Sequence, residues 1–428
     1  MSGEAGGDLA ARSHDLQEGT AGTAGTAGSE GSDGSEGSDG SEGAAGAAGA
    51  VLEGLWESKW LYCPPNRQVY PWQWLWDSCF HAVSWCALND QRGVAELRTL
   101  LGSVQVDGFL PHMTYHSDPG AARGLWGRPL WSTITQPPMY GHAIRVLAES
   151  GWPVDELIEP AERAMRFLFE RRLEPNGLVR IVHPWESGAD DNPRWGAWSG
   201  TPFERRRWMS VKLSLVSSLE LGEAGSALTN PRFSVAAASF NALASFNAAE
   251  LHAAGGPAWL GQAAESLAEA IDELLWDEGR GTWADLDLTS GDRACHGVLD
   301  ALLAVLVTRS EERAERVFAA ISGDGHLASP FGPCGTSREE AGFDPSGYGR
   351  GSVWPHLTYL FVLAARRRGR DALGDELAMS SMRAMIRSGF AEHVDAVTGQ
   401  GLGARPQGWA TLPIAQAPQA PHPPQELA

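Results

Sequence analysis

Three carboxylates stand close together in the segment 183–195, which has the sequence HPWESGADDNPRW. They belong to Glu186, Asp190 and Asp191, and a tryptophan stands on either side of them. Like charges in aromatic surroundings raise the pKa of at least one carboxyl, and a general acid that works at neutral pH needs a raised pKa. The simpler alternative is a solvated charged loop, although such loops rarely hold two tryptophans and an arginine. The segment therefore predicts a general acid.

A second carboxylate with catalytic potential belongs to Glu392. It follows a helical pattern that ends near Ser388 and precedes the glycine-rich stretch Gly399–Gly403. A glutamate in such a place, taken alone, is more often a surface residue. Together with the acidic segment it completes a pair, and hydrolysis of a glycosidic bond needs one acid and one base flanking that bond.

Aromatic residues are concentrated beside polar ones. The chain has 18 Trp and only 6 Tyr, and the segment 70–78, YPWQWLWDS, holds three of the tryptophans. Indole rings can stack on the C–H faces of a sugar while Asp77 accepts hydrogen bonds from its hydroxyls. In the alternative, the tryptophans belong to the core and Asp77 caps the helix that follows. Gln136 offers both a donor and an acceptor to a pair of hydroxyls. The clustering favours a carbohydrate site.

The composition argues against several classes of function. The 33 Lys and Arg against 53 Asp and Glu give a net charge of -20, which opposes sequence-independent binding of nucleic acid because phosphates need a basic surface. The chain has neither a run of 18 apolar residues nor a signal-peptide pattern, so we expect a cytoplasmic protein without membrane contact. The five cysteines form no CxxC pair, and no nucleotide-binding motif occurs. We expect a small carbohydrate as partner, with no metal and no cofactor.

Helical periodicity dominates the elements that must position these groups. Amphipathic runs recur about eleven times between residues 78 and 388, mostly in pairs, whereas strand-like alternation is confined to short stretches such as Thr282–Leu286. Paired helices without a sequence repeat predict an all-α fold of helical hairpins closed into a toroid. The connections between them are long, aromatic and polar, which is typical of functional loops.

The two ends of the chain differ in composition from the rest. From Gly19 to Gly49 every third residue is glycine, and residues 1–50 contain nine acids, one base and few large apolar side chains. Such a segment cannot bury enough apolar surface to fold. We predict a disordered acidic tail over 1–50, a catalytic domain over 51–412, and a second disordered tail, rich in Pro, Gln and Ala, over 413–428.

Five motifs follow one another over roughly residues 51–412. They are YPWQWLWDS (70–78), ITQPPMYGHAI (134–144), HPWESGADDNPRW (183–195), YGRGSVWP (348–355) and FAEHVDAVTGQGLG (390–403). In this order they resemble the mannosylglycerate/glucosylglycerate hydrolases of glycoside hydrolase family 63. The resemblance implies an (α/α)6 toroid, or six-hairpin barrel, with long loops forming the active site. It also implies an inverting α-glycosidase that hydrolyses a small α-glucoside or α-mannoside such as glucosylglycerate or mannosylglycerate.

The resemblance assigns roles to residues of this chain. Asp190 matches the general acid and Glu392 the general base, and an inverting enzyme holds two such carboxyl groups about 6.5–9.5 Å apart. The positions that match sugar contacts are Tyr70, Trp74, Trp76, Asp77, Gln136, Tyr348 and Trp354. Glycerate carries a carboxylate, for which Arg194 or Arg350 is the candidate partner.

Two departures from the family's pattern leave the substrate open. Gly349 stands where the family usually has tryptophan, and the segment 407–410, QGWA, replaces the family's Phe-Ser-Trp-Thr. The alternatives are an oligosaccharide α-glucosidase or trehalase-like hydrolase and, from another class, a non-catalytic sugar-binding toroid. The sequence is also compatible with a homo-oligomer.

Overall fold

Two concentric layers of helices make up residues 39–416, the part of the chain that the computed structural model describes. Each inner helix packs against the next one along the chain, and the last packs against the first, so the ring closes. The inner helices are Leu75–Ala87, Tyr140–Glu149, Ala238–Ala253, Asp300–Leu306, Pro355–Arg367 and Gly408–Gln416.

One outer helix packs on each inner helix. In the order of their inner partners, the outer helices are Arg92–Leu101, Asp155–Arg171, Ala258–Leu274, Glu311–Ile321, Asp371–Ser388 and Asp39–Leu55. Six inner and six outer helices confirm the prediction of an (α/α)6 toroid.

The two layers differ in which side chains they bury. The inner helix Leu75–Ala87 is buried at every position from Leu75 to Cys86, because it has neighbours on both sides. The outer helix Asp155–Arg171 buries side chains at intervals of three and four residues, among them Leu157, Ala161 and Leu168, and exposes much of its other face. This is the pattern of an amphipathic helix lying on the outside of a core.

Two inner elements are 3-10 helices, which wind more tightly than α-helices. One of the amphipathic runs that the sequence predicts as helical, Gly297–Thr308, contains the 3-10 helix Asp300–Leu306. The last inner element, Gly408–Gln416, contains Pro413, and proline lacks the N–H that a continuous α-helix needs. The sequence pattern placed the first of these elements correctly but did not distinguish its type.

The helical ring extends beyond residues 51 and 412, the predicted ends of the catalytic domain. The helix Asp39–Leu55 begins before residue 51, and its Ala44 and Ala48 are buried against Met385 and Ile414. Alanine favours helix, and its small side chain lets two helices approach closely. The surrounding glycine repeat hid this helical tendency in the sequence. At the other end the last inner helix continues to Gln416. The predicted disorder of residues 1–38 and 417–428 falls outside the described residues.

The connections contain short antiparallel strands and short helices. The strand pairings are Gln73–Trp74 with Met113–Thr114, Glu220–Leu221 with Ala227–Thr229, Trp276–Asp277 with Thr282–Trp283, and His393–Val394 with Gly401–Leu402, while Asp285–Asp287 pairs with both Val235–Ala236 and Arg293–Ala294. The short helices are Ala122–Trp126, Pro184–Ser187, Pro193–Trp195 and Gly196–Ser199, and a longer one, Arg205–Val216, follows them. The strand predicted at Thr282–Leu286 is present as two strands. Between residues 39 and 416, none of the helices has the length and apolar character required to cross a bilayer.

Candidate active site

Loops that lead into the N-terminal ends of inner helices line a cleft that opens to solvent. The cleft brings together most of the residues predicted from the sequence: Tyr70, Trp74, Trp76, Asp77, Gln136, Asp190, Tyr348 and Glu392. Trp354 lines a second, smaller cavity of about 500 Å³, which shares Trp76, Asp190 and Tyr348 with the cleft. The five motifs singled out in the sequence therefore meet in space.

Glu392 lies between the outer helix Asp371–Ser388 and the strand His393–Val394, and its side chain is fully buried. One carboxyl oxygen accepts hydrogen bonds from the hydroxyls of Tyr70 and Tyr348, at 3.0 and 3.2 Å. The other accepts the backbone N–H of Ala404 at 2.8 Å. Burial raises the pKa of Glu392 to about 7, while these three hydrogen bonds act in the opposite direction because they favour the charged form.

Asp77 lies in the first turn of the inner helix Leu75–Ala87 and is only 2% exposed. The alternative that Asp77 caps this helix is wrong, because the helix begins at Leu75 and no side chain caps it. The side-chain amide of Gln407 lies 3.4 Å from Oδ1 of Asp77. Burial raises the pKa of Asp77 to about 7, with His81 lowering it and the charge of Glu392 raising it further. The carboxyl is thus free to take hydroxyl hydrogen bonds from a ligand in the cleft.

Each carboxylate of the acidic segment has a cationic partner. Nζ of Lys212 lies 2.6 Å from Oδ2 of Asp190 and 2.7 Å from Oδ1 of Asp191. The other oxygen of Asp191 accepts a hydrogen bond from Nε of Arg205 at 3.0 Å. Glu186 is fully buried and forms an ion pair with Arg172 at 3.0 Å. The fold therefore places a cation beside each of the three like charges that the sequence brings together.

Glu186 holds two segments of the cleft wall together. Its carboxylate accepts the backbone N–H of Thr135 at 3.1 Å and that of Val182 at 2.7 Å. Thr135 precedes Gln136, whose side-chain oxygen in turn lies 3.4 Å from the backbone N–H of Trp76. The buried Glu186 thus fixes the position of Gln136 relative to the acidic segment.

The structure contradicts the prediction that Arg194 binds a substrate carboxylate. It is buried, and its guanidinium binds Asp285 through two nitrogens at 2.7 Å and also binds Asp300. With its donors directed to these acids, it fixes the end of the acidic segment to the core. Arg350 lies 3.5 Å from the centre of the Phe203 ring and does not line the cleft.

Several residues of the cleft were missed in the sequence. Trp409 stands beside Trp76, with ring centres 5.9 Å apart, and its indole N–H donates to the backbone oxygen of Glu392 at 2.9 Å. Gln407 reaches Asp77 from the same segment, and Lys212 reaches Asp190 from the helix Arg205–Val216. The only sequence signal for Lys212 was its rarity, since the chain has one other lysine.

One group of buried side chains outside the cleft has the donor atoms that a divalent metal ion uses. Cys63, His81 and Glu96 each place one such atom within 4.8 Å of the others. Nδ1 of His81 and Oε1 of Glu96 are 2.9 Å apart and bind each other by a hydrogen bond. His81 and Glu96 thus form a hydrogen-bonded pair beside the buried thiol of Cys63.

Comparison with known proteins agrees with the resemblance seen in the motifs. The family model for the mannosylglycerate hydrolase MGH1-like glycoside hydrolase domain matches residues 70–410. A mannosylglycerate hydrolase of Thermus thermophilus is 30% identical over 421 residues, which cover 82% of this chain and 95% of that protein. The glucosylglycerate hydrolase of Mycolicibacterium hassiacum is 26% identical and matches 81% of this chain and 91% of its own length.

A solved structure extends the similarity to three dimensions. The mannosylglycerate hydrolase of glycoside hydrolase family 63 from another strain of Thermus thermophilus, in complex with Tris and D-glycerate, superposes with a TM-score of 0.76. It is 25% identical to this chain, and the match covers 87% of this chain and 99% of that one. The match of a family model to most of the described residues decides the assignment. The chain belongs to the mannosylglycerate hydrolase MGH1-like family of glycoside hydrolases, enzymes that hydrolyse glycosidic bonds.

Proposed function

We propose that this enzyme is an inverting α-glycosidase that hydrolyses a small α-mannoside or α-glucoside whose aglycone is glycerate. The observation that carries the proposal is that Asp190 and Glu392 line one cleft with different partners. Sequence relatives named for mannosylglycerate and glucosylglycerate support the substrate class, as does a structural neighbour that holds D-glycerate.

In the proposed reaction Asp190 is the general acid and Glu392 the general base. Asp190 gives its proton to the glycosidic oxygen as the bond from that oxygen to the anomeric carbon breaks. Glu392 takes a proton from a water molecule, whose oxygen attacks the anomeric carbon from the opposite face. The products are glycerate and a hexose of inverted, β configuration. The pKa of about 7 for Glu392 leaves much of this carboxyl ionised at neutral pH, as a base requires.

The remaining cleft residues have the chemistry to hold the hexose. Asp77 and Gln136 supply an acceptor and a mixed donor and acceptor for hydroxyls. Trp74 and Trp76 supply apolar ring surface for the C–H faces, and Tyr70 packs against Trp74 with ring centres 5.6 Å apart. We propose these residues, together with Tyr348 and with Trp354 in the adjoining cavity, as the sugar-binding set.

The experiment that tests the proposal follows free hexose by NMR. The purified chain is incubated separately with mannosylglycerate, glucosylglycerate, trehalose and maltose. We expect release from a hexosylglycerate, with the β-anomer appearing before mutarotation. Asp190→Asn and Glu392→Gln should each lower kcat by about 100-fold or more, as expected for loss of general acid or base catalysis.

A matched control is Glu170→Gln, which neutralises an exposed glutamate of an outer helix. This variant should keep the activity of the unaltered chain. Release of the α-anomer first would overturn the inverting mechanism. Hydrolysis of trehalose or maltose alone would instead favour the trehalase-like or oligosaccharide α-glucosidase alternative. Saturable binding of all four glycosides without hydrolysis would favour a sugar-binding toroid.

A further inference from the structure

The sequence contains two lysines, Lys59 and Lys212, and all its other cationic side chains at neutral pH are arginines. Lys59 is exposed, whereas the side chain of Lys212 is 0% exposed. A fully buried ammonium group is costly unless it is paired and hydrogen-bonded. The position of Lys212 therefore calls for a partner that compensates this cost.

That partner is a pair of neighbouring carboxylates. Nζ of Lys212 lies 2.6 Å from Oδ2 of Asp190 and 2.7 Å from Oδ1 of Asp191, both within hydrogen-bonding distance. An ammonium group is a compact charge with three rotatable donors, whereas the donors of a guanidinium lie in one rigid plane. The compact ammonium group of Lys212 binds one oxygen of each of the two neighbouring aspartates.

The helix Arg205–Val216 fixes both the side chain and the backbone of Asp190. Besides Lys212, this helix supplies Trp208, whose indole N–H donates to the backbone oxygen of Asp190 at 2.6 Å. The backbone oxygen of Lys212 lies 2.9 Å from Nε2 of His183, at the start of the acidic segment. The helix and the acidic segment therefore form one connected unit around Asp190.

The two aspartates are held differently by their neighbours. Asp191 is 2% exposed; Lys212 binds its Oδ1 and Arg205 binds its Oδ2. Asp190 is more open, with a side chain 17% exposed that lines the cleft. Asp191 has two cationic partners and lines the smaller adjoining cavity but not the cleft itself. Its carboxylate can therefore balance the charge of Lys212 when Asp190 is neutral.

We propose that Lys212 is a positioning residue for the general acid, an inference that rests on the proposed roles of Asp190 and Glu392. Lys212 binds Oδ2 of Asp190 and so directs Oδ1, which carries the proton, toward the glycosidic oxygen. The proton passes from Oδ1 to the leaving oxygen, and Lys212 itself transfers none. Asp191 compensates the ammonium charge throughout.

The test compares two substrates that differ in their need for an acid. When a hexosylglycerate is cleaved, its glycerate leaves as an alkoxide unless the glycosidic oxygen is protonated. The α-fluoride of the same hexose releases fluoride without general acid catalysis. In Lys212→Met we expect kcat for the hexosylglycerate to fall about 100-fold, within the range attributed to general acid catalysis. The fluoride should lose less than about fivefold and KM should change little, because Glu392 and the sugar contacts remain.

Two further variants accompany the test. Lys59→Met removes the exposed lysine and should leave both substrates unaffected. Lys212→Arg keeps the charge but not the compact bridge, so we expect it to lose the hexosylglycerate reaction selectively as well. It takes the place of Lys212→Met if thermal unfolding shows that the methionine variant does not fold.

Two results would contradict the positioning role of Lys212. An equal loss on both substrates would show that Lys212 only maintains the structure and would overturn the inference. Full activity of the Lys212 variants on the hexosylglycerate would overturn it as well. In both cases the unaltered chain still hydrolyses its substrates, so the proposed function stands. If the unaltered chain hydrolyses neither substrate, the proposed function fails and the inference fails with it.

Discussion

The carboxyls of Asp77 and Glu392 are both buried in the wall of the cleft, and burial raises the pKa of each to about 7. Their hydrogen-bond donors differ. Glu392 receives two tyrosine hydroxyls and a backbone N–H, whereas the side-chain donor nearest Asp77 is the more distant amide of Gln407. Since a general base must be ionised, the proposed mechanism predicts that kcat/KM falls as the pH drops through about 7.

Removing one tyrosine hydroxyl should move this acid limb. Tyr348→Phe takes away a hydrogen bond that favours the charged form of Glu392, so the pKa of Glu392 rises. A hydrogen bond to a charged group is worth about 1.5 kcal/mol, which corresponds to about one pH unit. We expect the acid limb of the kcat/KM profile to shift upward by that amount. Tyr62→Phe, which changes a buried tyrosine outside the cleft, should leave the limb in place; an unmoved limb in Tyr348→Phe would contradict the role given to the hydroxyl.

The absence of a side chain at Gly403 leaves room for the carboxylate of Glu392. The φ of Gly403 is +72°, a conformation that side chains disfavour, and a Cβ there would lie 2.3 Å from Oε2 of Glu392. Gly403→Ala should therefore displace the carboxylate and lower kcat at least about tenfold, as misplacement of a reacting group does. Gly389→Ala is the matched control, because Gly389 has a similar φ of +63° with no atom closer than 3.7 Å. Equal kcat in the two alanine variants would show that the contact with Glu392 is not the cause.

A residue of the site could be found in the sequence when its own neighbours in the chain form a recognisable motif. Tyr70, Asp77 and Asp190 stand in dense local motifs of acids and tryptophans, so their segments were recognisable. Lys212 supports Asp190, and Gln407 reaches Asp77, only because the fold brings their segments to these acids. Neither residue stands in a dense motif of acids and tryptophans.

At the scale of elements, the acidic segment is held in place by buried ion pairs at each end. Glu186 pairs with Arg172 near its start, and Arg194 pairs with Asp285 near its end. Loss of one partner leaves an uncompensated charge in the core, which costs about 3–5 kcal/mol. The segment that carries Asp190 thus depends on charges that never contact the ligand.

Glu186→Gln tests this dependence. The variant leaves the Arg172 charge buried without its counter-charge and weakens the acceptors for two backbone N–H groups. We expect the free energy of unfolding, measured by urea denaturation, to fall by about 3 kcal/mol or more. Glu170→Gln, in an exposed pair with Arg166, should change it by less than about 1 kcal/mol. Similar losses in the two variants would contradict the structural role of Glu186.

Periodicity located the outer helices, each of which has one exposed face, except the first, Asp39–Leu55, which lies partly in the glycine repeat. It also located inner elements, although their neighbours on both sides remove the contrast between faces. The helix Ala238–Ala253 buries nearly all its side chains, including Ser245 and Asn247. The 3-10 winding of Asp300–Leu306 likewise follows from its packing in the ring rather than from a local pattern.

At the scale of the whole molecule, the ring is closed by parts of the chain that are far apart in sequence. The helix Asp39–Leu55 packs on the last inner helix, Gly408–Gln416. That inner helix carries Trp409, which donates to the backbone of Glu392. The predicted boundary at residue 51 missed this contact because the glycine repeat continues into the helix, where Ala44 and Ala48 pack against Met385 and Ile414.

Placing a charge in this contact should therefore destabilise the whole ring. Ala48 is 0% exposed, and Ala48→Asp places a carboxylate among apolar side chains such as Met385 and Ile414, at a cost of about 3 kcal/mol. We expect the midpoint of thermal unfolding and the temperature at which activity is lost to fall together. Ala47→Asp places the same side chain on the exposed face one position earlier and should change both by little. If the two variants unfold at the same temperature, the N-terminal helix does not close the ring in solution, and the toroid is stable with its last inner helix uncovered.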